Sequence, residues 1–149
     1  MIVKDHLEKI LDANILKSRV FRWSLVFLWM TIIFLFSHQA NSGSITEEYF
    51  GIMNVPVRKL GHIVEFMVLY LLVRWALDDI KSSTTTFNTS AALTVAILYA
   101  VSDEWHQSFV GGRSASVRDV IIDSIGAISG VFVYIGLAKI KNSIFQNKR

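Results

Sequence analysis

Four short stretches of this sequence hold most of the residues able to do chemistry. They are Ser37-His38-Gln39, then Arg58 and Lys59 with His62 and Glu65, then Ser102-Asp103-Glu104 with His106 and Gln107, and finally Arg113, Ser114, Ser116, Arg118, Asp119 and Asp123. Carboxylates beside histidines are candidate proton donors and acceptors. Arginine and lysine clusters bind phosphate-like anions, with arginine the better bidentate partner. On a helix, Lys59, His62 and Glu65 fall at i, i+3 and i+6, while Asp103/Gln107 and Asp119/Asp123 are i, i+4 pairs, so each set shares a face. A metal is not expected. There is no cysteine and no H-E-x-x-H, and His62 and His106 belong to different segments. A serine nucleophile is disfavoured because Ser37, Ser102, Ser114 and Ser116 lack a G-x-S-x-G context.

The elements that must position these groups are apolar. Of 149 residues 52% are hydrophobic, and the mean hydropathy is +0.45, as in a helical membrane protein with short loops. Four segments approach the length of a bilayer-spanning helix: Val20–Ser37, Leu60–Leu77, Thr89–Val110 and Val120–Leu137. A soluble four-helix bundle is the competing reading, and the density of Phe, Leu, Ile and Val argues against it. No cleavable signal peptide is evident, because the first apolar run starts at Trp23 with no small-x-small site after it. The expected fold is all-α: an integral membrane bundle of four transmembrane helices with a short N-terminal interfacial helix. Residues 1–19 form the amphipathic cytoplasmic segment, with Leu7, Ile10, Leu11 and Ile15 on one face. Residues 20–139 form the transmembrane domain, and 140–149 a basic cytoplasmic tail.

Loop chemistry sets the helix ends. Ser44-x-x-Glu47 reads as a capping box for a short helix over Ile45–Met53, and Pro56 suits a first helical turn. Ser82–Ser90 reads as a Ser/Thr turn, and Ser116-x-x-Asp119 opens the last span. Gly126-x-x-x-Gly130 continues the Asp119/Asp123 face and predicts close helix packing there. Trp23, Trp75 and Trp105 read as interfacial anchors, Trp29 as a residue facing lipid or core, and Arg74 as a cation that snorkels from an apolar half.

Charge sets the orientation. With four spans, Lys4, Lys9, Lys17, Arg19, Arg22, Arg74, Lys81, Lys139, Lys141, Lys148 and Arg149 share one side. Only Arg58, Lys59, Arg113 and Arg118 occupy the other. Positive loops stay in the cytoplasm, so both termini are expected there. The four reactive stretches then meet at one depth on the outer side, and ionisable groups in a membrane usually face a bundle interior or a wet cavity.

Several stretches together resemble VanZ-like membrane proteins. Arg58-Lys59-Leu60-Gly61-His62-Ile63-Val64-Glu65-Phe66 resembles their second-helix motif. Ser102-Asp103-Glu104-Trp105-His106-Gln107-Ser108-Phe109-Val110-Gly111-Gly112-Arg113 resembles the third, and Ser116-Val117-Arg118-Asp119 with Asp123-Ser124-x-Gly126-Ala127 the fourth. Phe34-Leu35-Phe36-Ser37-His38-Gln39 is similar to the end of their first helix. The resemblance runs from about Arg22 to Leu137, with Gly111 standing where the family often has proline. It implies a protein of the bacterial cytoplasmic membrane acting near the cell wall, in a family named for an accessory protein of glycopeptide (teicoplanin) resistance. It does not imply a settled reaction.

Three functions compete. In the first, an outward pocket recognises an anionic envelope lipid, a lipid-linked cell-wall precursor or the glycopeptide itself. Arg113 anchors the anion with help from Arg58, Lys59, Arg118 and Gln107. In the second, the protein is a membrane-embedded hydrolase or transferase using Glu65, Asp103, Glu104 and His62 as acids and bases, with a metal held by His62, His106 and Glu65, Glu104 or Asp123 as the less favoured form of this reading. In the third, Ser37, Asp119 and Asp123 join the other carboxylates as interhelical glue and the arginines neutralise them. Interhelical polar contacts contribute only about 0.6–2 kcal/mol each, so packing alone does not call for so many. A transporter is disfavoured because the polar cluster does not cross the bilayer. No cofactor and no nucleic-acid partner are expected; a net charge of +3 is too small for the latter.

Overall fold

The structure is a computed structural model that describes residues 18–40, 42–78, 84–113 and 115–146. The expected interfacial helix over 1–19 lies outside them, except for Ser18 and Arg19. The described residues are almost wholly helical: α1 (Arg19–Ser37), α2 (Ser42–Phe50), a 3-10 turn (Gly51–Met53), α3 (Asn54–Leu77), α4 (Thr85–Gln107) and α5 (Val117–Gln146).

The four long helices run up and down beside one another, and side-chain pairs fix which ends meet. Arg22 in the first turn of α1 donates to the Trp75 carbonyl near the end of α3 (3.1 Å). Asn88, early in α4, donates to the Leu77 carbonyl (3.2 Å). At the opposite end Ser37, the last residue of α1, reaches Asp103 in the last turns of α4. There too His62, early in α3, faces Asp123, early in α5.

Small residues let the helices approach. The expected Gly126/Gly130 face does pack inward, against α3. A Cβ on Gly126 would strike the Ile63 carbonyl oxygen and come within 2.9 Å of its Cα, and one on Gly130 would lie 2.7 Å from the Tyr70 ring. Ala92, Ala96 and Ala100 repeat every four residues along the buried stripe of α4. The core they share with α1 and α3 contains Val26, Ile33, Phe66, Leu69, Tyr70 and Val73. Much of the remaining apolar surface points outward, including Phe27, Leu28, Leu98, Ile121, Ile125 and Phe132. So large an apolar exterior suits lipid better than water.

α1, the stretch Thr46–Leu77 and the stretch Val117–Ile140 are long and apolar enough to cross a membrane. α4 does not meet that apolar criterion, because its first turns hold Thr85, Thr86, Asn88, Thr89 and Ser90 and its end holds Asp103, Glu104 and His106.

Several helix ends differ from the sequence reading. α4 starts at Thr85, inside the expected Ser82–Ser90 turn, because the Thr84 hydroxyl caps the Phe87 N–H (3.2 Å) and Asn88 finds a carbonyl partner. It stops at Gln107, short of Val110. α3 begins at Asn54, six residues before Leu60, and Pro56 fits in its first turn, where backbone N–H groups have no intrahelical acceptor. α2 and the 3-10 turn together cover the short helix expected at 45–53. α5 continues to Gln146, so helix enters the expected tail.

Arg74 corrects the snorkelling expectation. It is 1% exposed and turned into the bundle, bonded to Asp78 and stacked 4.4 Å from the centre of the Tyr134 ring. A neighbouring carboxylate and an aromatic face hold the guanidinium better than an extended route to the interface.

Candidate anion-binding site

At the His62 end, helical phase does the positioning. Asp103 and Gln107 lie one turn apart on the buried face of α4 and both meet the C-terminus of α1. The Ser37 hydroxyl donates to Asp103 Oδ2 (2.7 Å), and Gln107 Nε2 donates to the same oxygen (2.8 Å) and to Ser37 Oγ (3.1 Å). The other end of the Gln107 amide accepts from Arg113 Nη1 (2.8 Å), while Arg113 Nη2 lies 3.4 Å from the Phe36 carbonyl. That carbonyl belongs to the last turn of α1 and also accepts the Gln39 N–H (3.3 Å). Arg113 thus closes a chain of contacts from α1 through α4 to the following loop.

The loop delivers Arg113 through a turn in which its N–H bonds to the Val110 carbonyl (3.1 Å) and Gly112 adopts φ +78°. An L-residue other than glycine would be strained at that φ. Gly111 has open space around it. Burial, and then the nearby Arg58 charge, lower the Arg113 pKa; an arginine still stays charged at neutral pH.

A second pair joins α3 to α5. His62 Nδ1 lies 3.2 Å from Asp123 Oδ1; the His62 side chain is 20% exposed and that of Asp123 is 1%. Asp123, the structural candidate, makes its interhelical contact with His62. Glu104 is drawn elsewhere. Its Oε1 accepts the Ser116 N–H (2.5 Å), which tethers the α4–α5 loop, while Ser116 Oγ caps the Arg118 N–H (3.2 Å). The expected Ser116/Asp119 box therefore has Ser116 as its cap and Glu104 as the acceptor for the Ser116 N–H.

Two adjoining cavities open among these groups. One, of about 260 Å³, is lined by Arg58, Lys59, His62, Gln107, Arg113 and Asp119. The other, of about 210 Å³, shares Arg58, His62 and Arg113 and adds Ser37, Thr46 and Glu65. The candidate residues Arg58, Lys59, His62, Glu65, Gln107, Arg113, Asp119 and Ser37 therefore converge. Asp103 and Asp123 stand behind this wall, and exposed Arg118 and buried Glu104 line neither cavity. Asp103 also borders a separate apolar groove of about 390 Å³ beside Phe34, Tyr99, Trp105 and Phe109. No group of three potential metal ligands converges among the described residues.

Some contacts were not anticipated. The Trp29 indole donates to the Glu65 carbonyl (2.9 Å), which holds α1 against α3 beside the cavities. His38 Nδ1 lies 3.1 Å from His106 Nε2, with both rings next to Phe34. In the structure each partner of the His62–Asp123 pair sits about two turns inside the start of its helix, Asn54 for α3 and Val117 for α5.

Compared with known protein families, residues 21–140 match the description VanZ/LLP1. This chain belongs to the VanZ/LLP1 family. No curated protein and no solved structure matched it. Every stretch with VanZ-like sequence has a place at the His62 end. Arg58–Phe66 supplies one wall, Ser102–Arg113 supplies the Asp103–Gln107–Arg113 chain, and Asp119 and Asp123 supply the face of α5. As a VanZ/LLP1 protein with three apolar helices of spanning length, the chain is a multi-pass membrane protein.

Proposed function

We propose that all four long helices cross the bilayer, with both termini in the cytoplasm of a bacterial cell. The two cavities then open on the outer face and bind the anionic head group of an envelope lipid or lipid-linked cell-wall precursor. The observation that carries this reading is the pair of adjoining cavities sharing Arg58, His62 and Arg113, with Lys59 on the rim. Hydrogen bonds to Gln107 and to the end of α1 hold the Arg113 guanidinium at the wall, so its orientation does not have to be fixed by the ligand. Phosphate oxygens are the natural complement of such a fork.

The fourth crossing rests on length and on partners. The 23 residues of α4 extend about 34 Å at 1.5 Å per residue, enough for a hydrocarbon core of about 30 Å. Its polar ends are bonded to neighbouring helices through Asn88, Asp103 and Gln107. The side is assigned by the excess of Lys and Arg at the other end of the bundle. Glycopeptide protection is the physiological context this site would serve, since altered handling of a wall precursor changes the target of such drugs.

The chain has no cysteine, so single-cysteine labelling tests the topology directly. A cysteine at position 113 should react with an impermeant reagent added outside, and reaction only from the cytoplasmic side overturns the orientation. Lipid mass spectrometry of the purified protein tests the ligand. An anionic lipid should co-purify with the native chain and be lost from Arg113→Ala. Equal lipid retention by both proteins overturns the assignment of Arg113.

A further inference from the structure

The position of His62 says more than that an anion binds. It belongs to both cavities, as do Arg58 and Arg113, so an anion with two centres would have these three side chains at its middle. Its Nδ1 is buried against Asp123, which is itself fully enclosed. The exposed part of the ring therefore lies on the cavity side. A carboxylate on one imidazole nitrogen fixes the ring and stabilises the imidazolium formed when the other nitrogen takes a proton.

The charges around the cavities narrow the substrate. Arg58, Lys59 and Arg113 outnumber Asp119 in the first cavity. A phosphodiester brings a single negative charge, whereas a lipid pyrophosphate brings about three. A phosphoanhydride also suits a site with one imidazole, because its leaving group is a phosphate, which departs as an anion and needs no proton from an acid.

We infer that this chain hydrolyses the phosphoanhydride of a lipid-linked pyrophosphate, with His62 as general base and Asp123 as the residue that positions it. This rests on the anion-binding reading of the same cavities. His62 takes a proton from water as the water oxygen bonds to the terminal phosphorus. The bond from that phosphorus to the bridging oxygen breaks, and its electron pair stays with the bridging oxygen. The products are the lipid monophosphate, held by the arginines, and inorganic phosphate. The proton on His62 passes to solvent through the open cavity. Water is the only co-reactant, and nothing is oxidised or reduced. Glu65, which lines only the second cavity, is not required as an acid.

The test uses the purified full-length chain in lipid nanodiscs, with a polyprenyl pyrophosphate as probe, and reads binding and phosphate release separately. The native chain should bind the probe and release phosphate. His62→Gly should lower kcat about 10²–10⁴-fold with binding retained, and added imidazole should restore part of the rate. Asp123→Asn should lower kcat by at least about tenfold with KM little changed. Imidazole rescue separates a chemical role from a folding defect, since a misfolded variant would not respond. Binding without phosphate release by the native chain overturns the hydrolysis and leaves the anion site standing. Absence of binding overturns both. A native rate unchanged in His62→Gly overturns the assignment of the base.

Discussion

The two ends of the bundle both bury charge, but they finish the job differently. At the Arg74 end, the guanidinium is bonded to Asp78 and lies on Tyr134, and the Tyr134 hydroxyl donates to the other Asp78 oxygen (3.0 Å). Arg22 stacks 5.0 Å from the Trp75 ring and bonds to its carbonyl. At the His62 end, Asp103 Oδ1, Glu104 Oε2 and both Asp123 oxygens are buried with no hydrogen-bond partner among the described residues, Asp123 Oδ1 having only its 3.2 Å ion-pair contact with His62 Nδ1. The Arg74 end has such atoms as well, Arg74 Nε and the Tyr70 hydroxyl, but no carboxylate oxygen among them. A buried acceptor without a donor costs stability. Four of them gathered near open cavities mark a region kept for something other than packing.

Substitutions can break or sharpen this contrast. The largest effect is expected where the two ends depend on one contact. Gly126→Leu would drive side-chain atoms into the Ile63 backbone, which cannot turn aside, and should cost about 3 kcal/mol in an unfolding titration. Anion binding should fall with it as α5 moves off α3. Arg74→Ala should come next, destabilising by about 2 kcal/mol. That is below the usual cost of breaking a fully buried pair, because Asp78 keeps access to solvent (37%). Anion affinity per folded molecule should not change, and a selective loss of affinity would erase the distinction between the ends.

Arg113→Ala should do the reverse. Thermal unfolding should shift little, while affinity for an anionic lipid falls about tenfold, as for loss of one charge-assisted hydrogen bond. An unfolding loss as large as that of Arg74→Ala would make Arg113 a structural brace. The smallest effect is expected for Trp29→Phe, about 1 kcal/mol from the lost bond to the Glu65 carbonyl, with binding unchanged.

What could be read from the sequence follows from periodicity. Lys59 and His62, the Asp103/Gln107 pair, and Asp119 with Asp123, Gly126 and Gly130 each lie on one helical face, so their convergence was legible once four helices were assigned. Arg74 was not legible. One cation near the end of an apolar run gives the same local pattern whether it reaches outward or turns in, and Tyr134, which decides the matter, is sixty residues further on. Asp123 was recognised as buried, but the imidazole of His62 comes from another helix whose register no local pattern supplies. The start of α4 was misplaced because threonine and serine suit both a turn and a capped first helical turn, and here Thr84 and Asn88 make the cap.

The polar ends of α4 bear on how the protein is made. On the four-crossing reading, this helix is too polar to partition into lipid as an isolated unit. Asn88 needs the Leu77 carbonyl of α3, and Asp103 and Gln107 need Ser37 of α1. Those acceptors and donors emerge from the ribosome before α4 does. On that reading, membrane entry of α4 would be templated by the helices already synthesised, and a chain lacking Ser37 would present its defect during insertion, before any ligand could be bound.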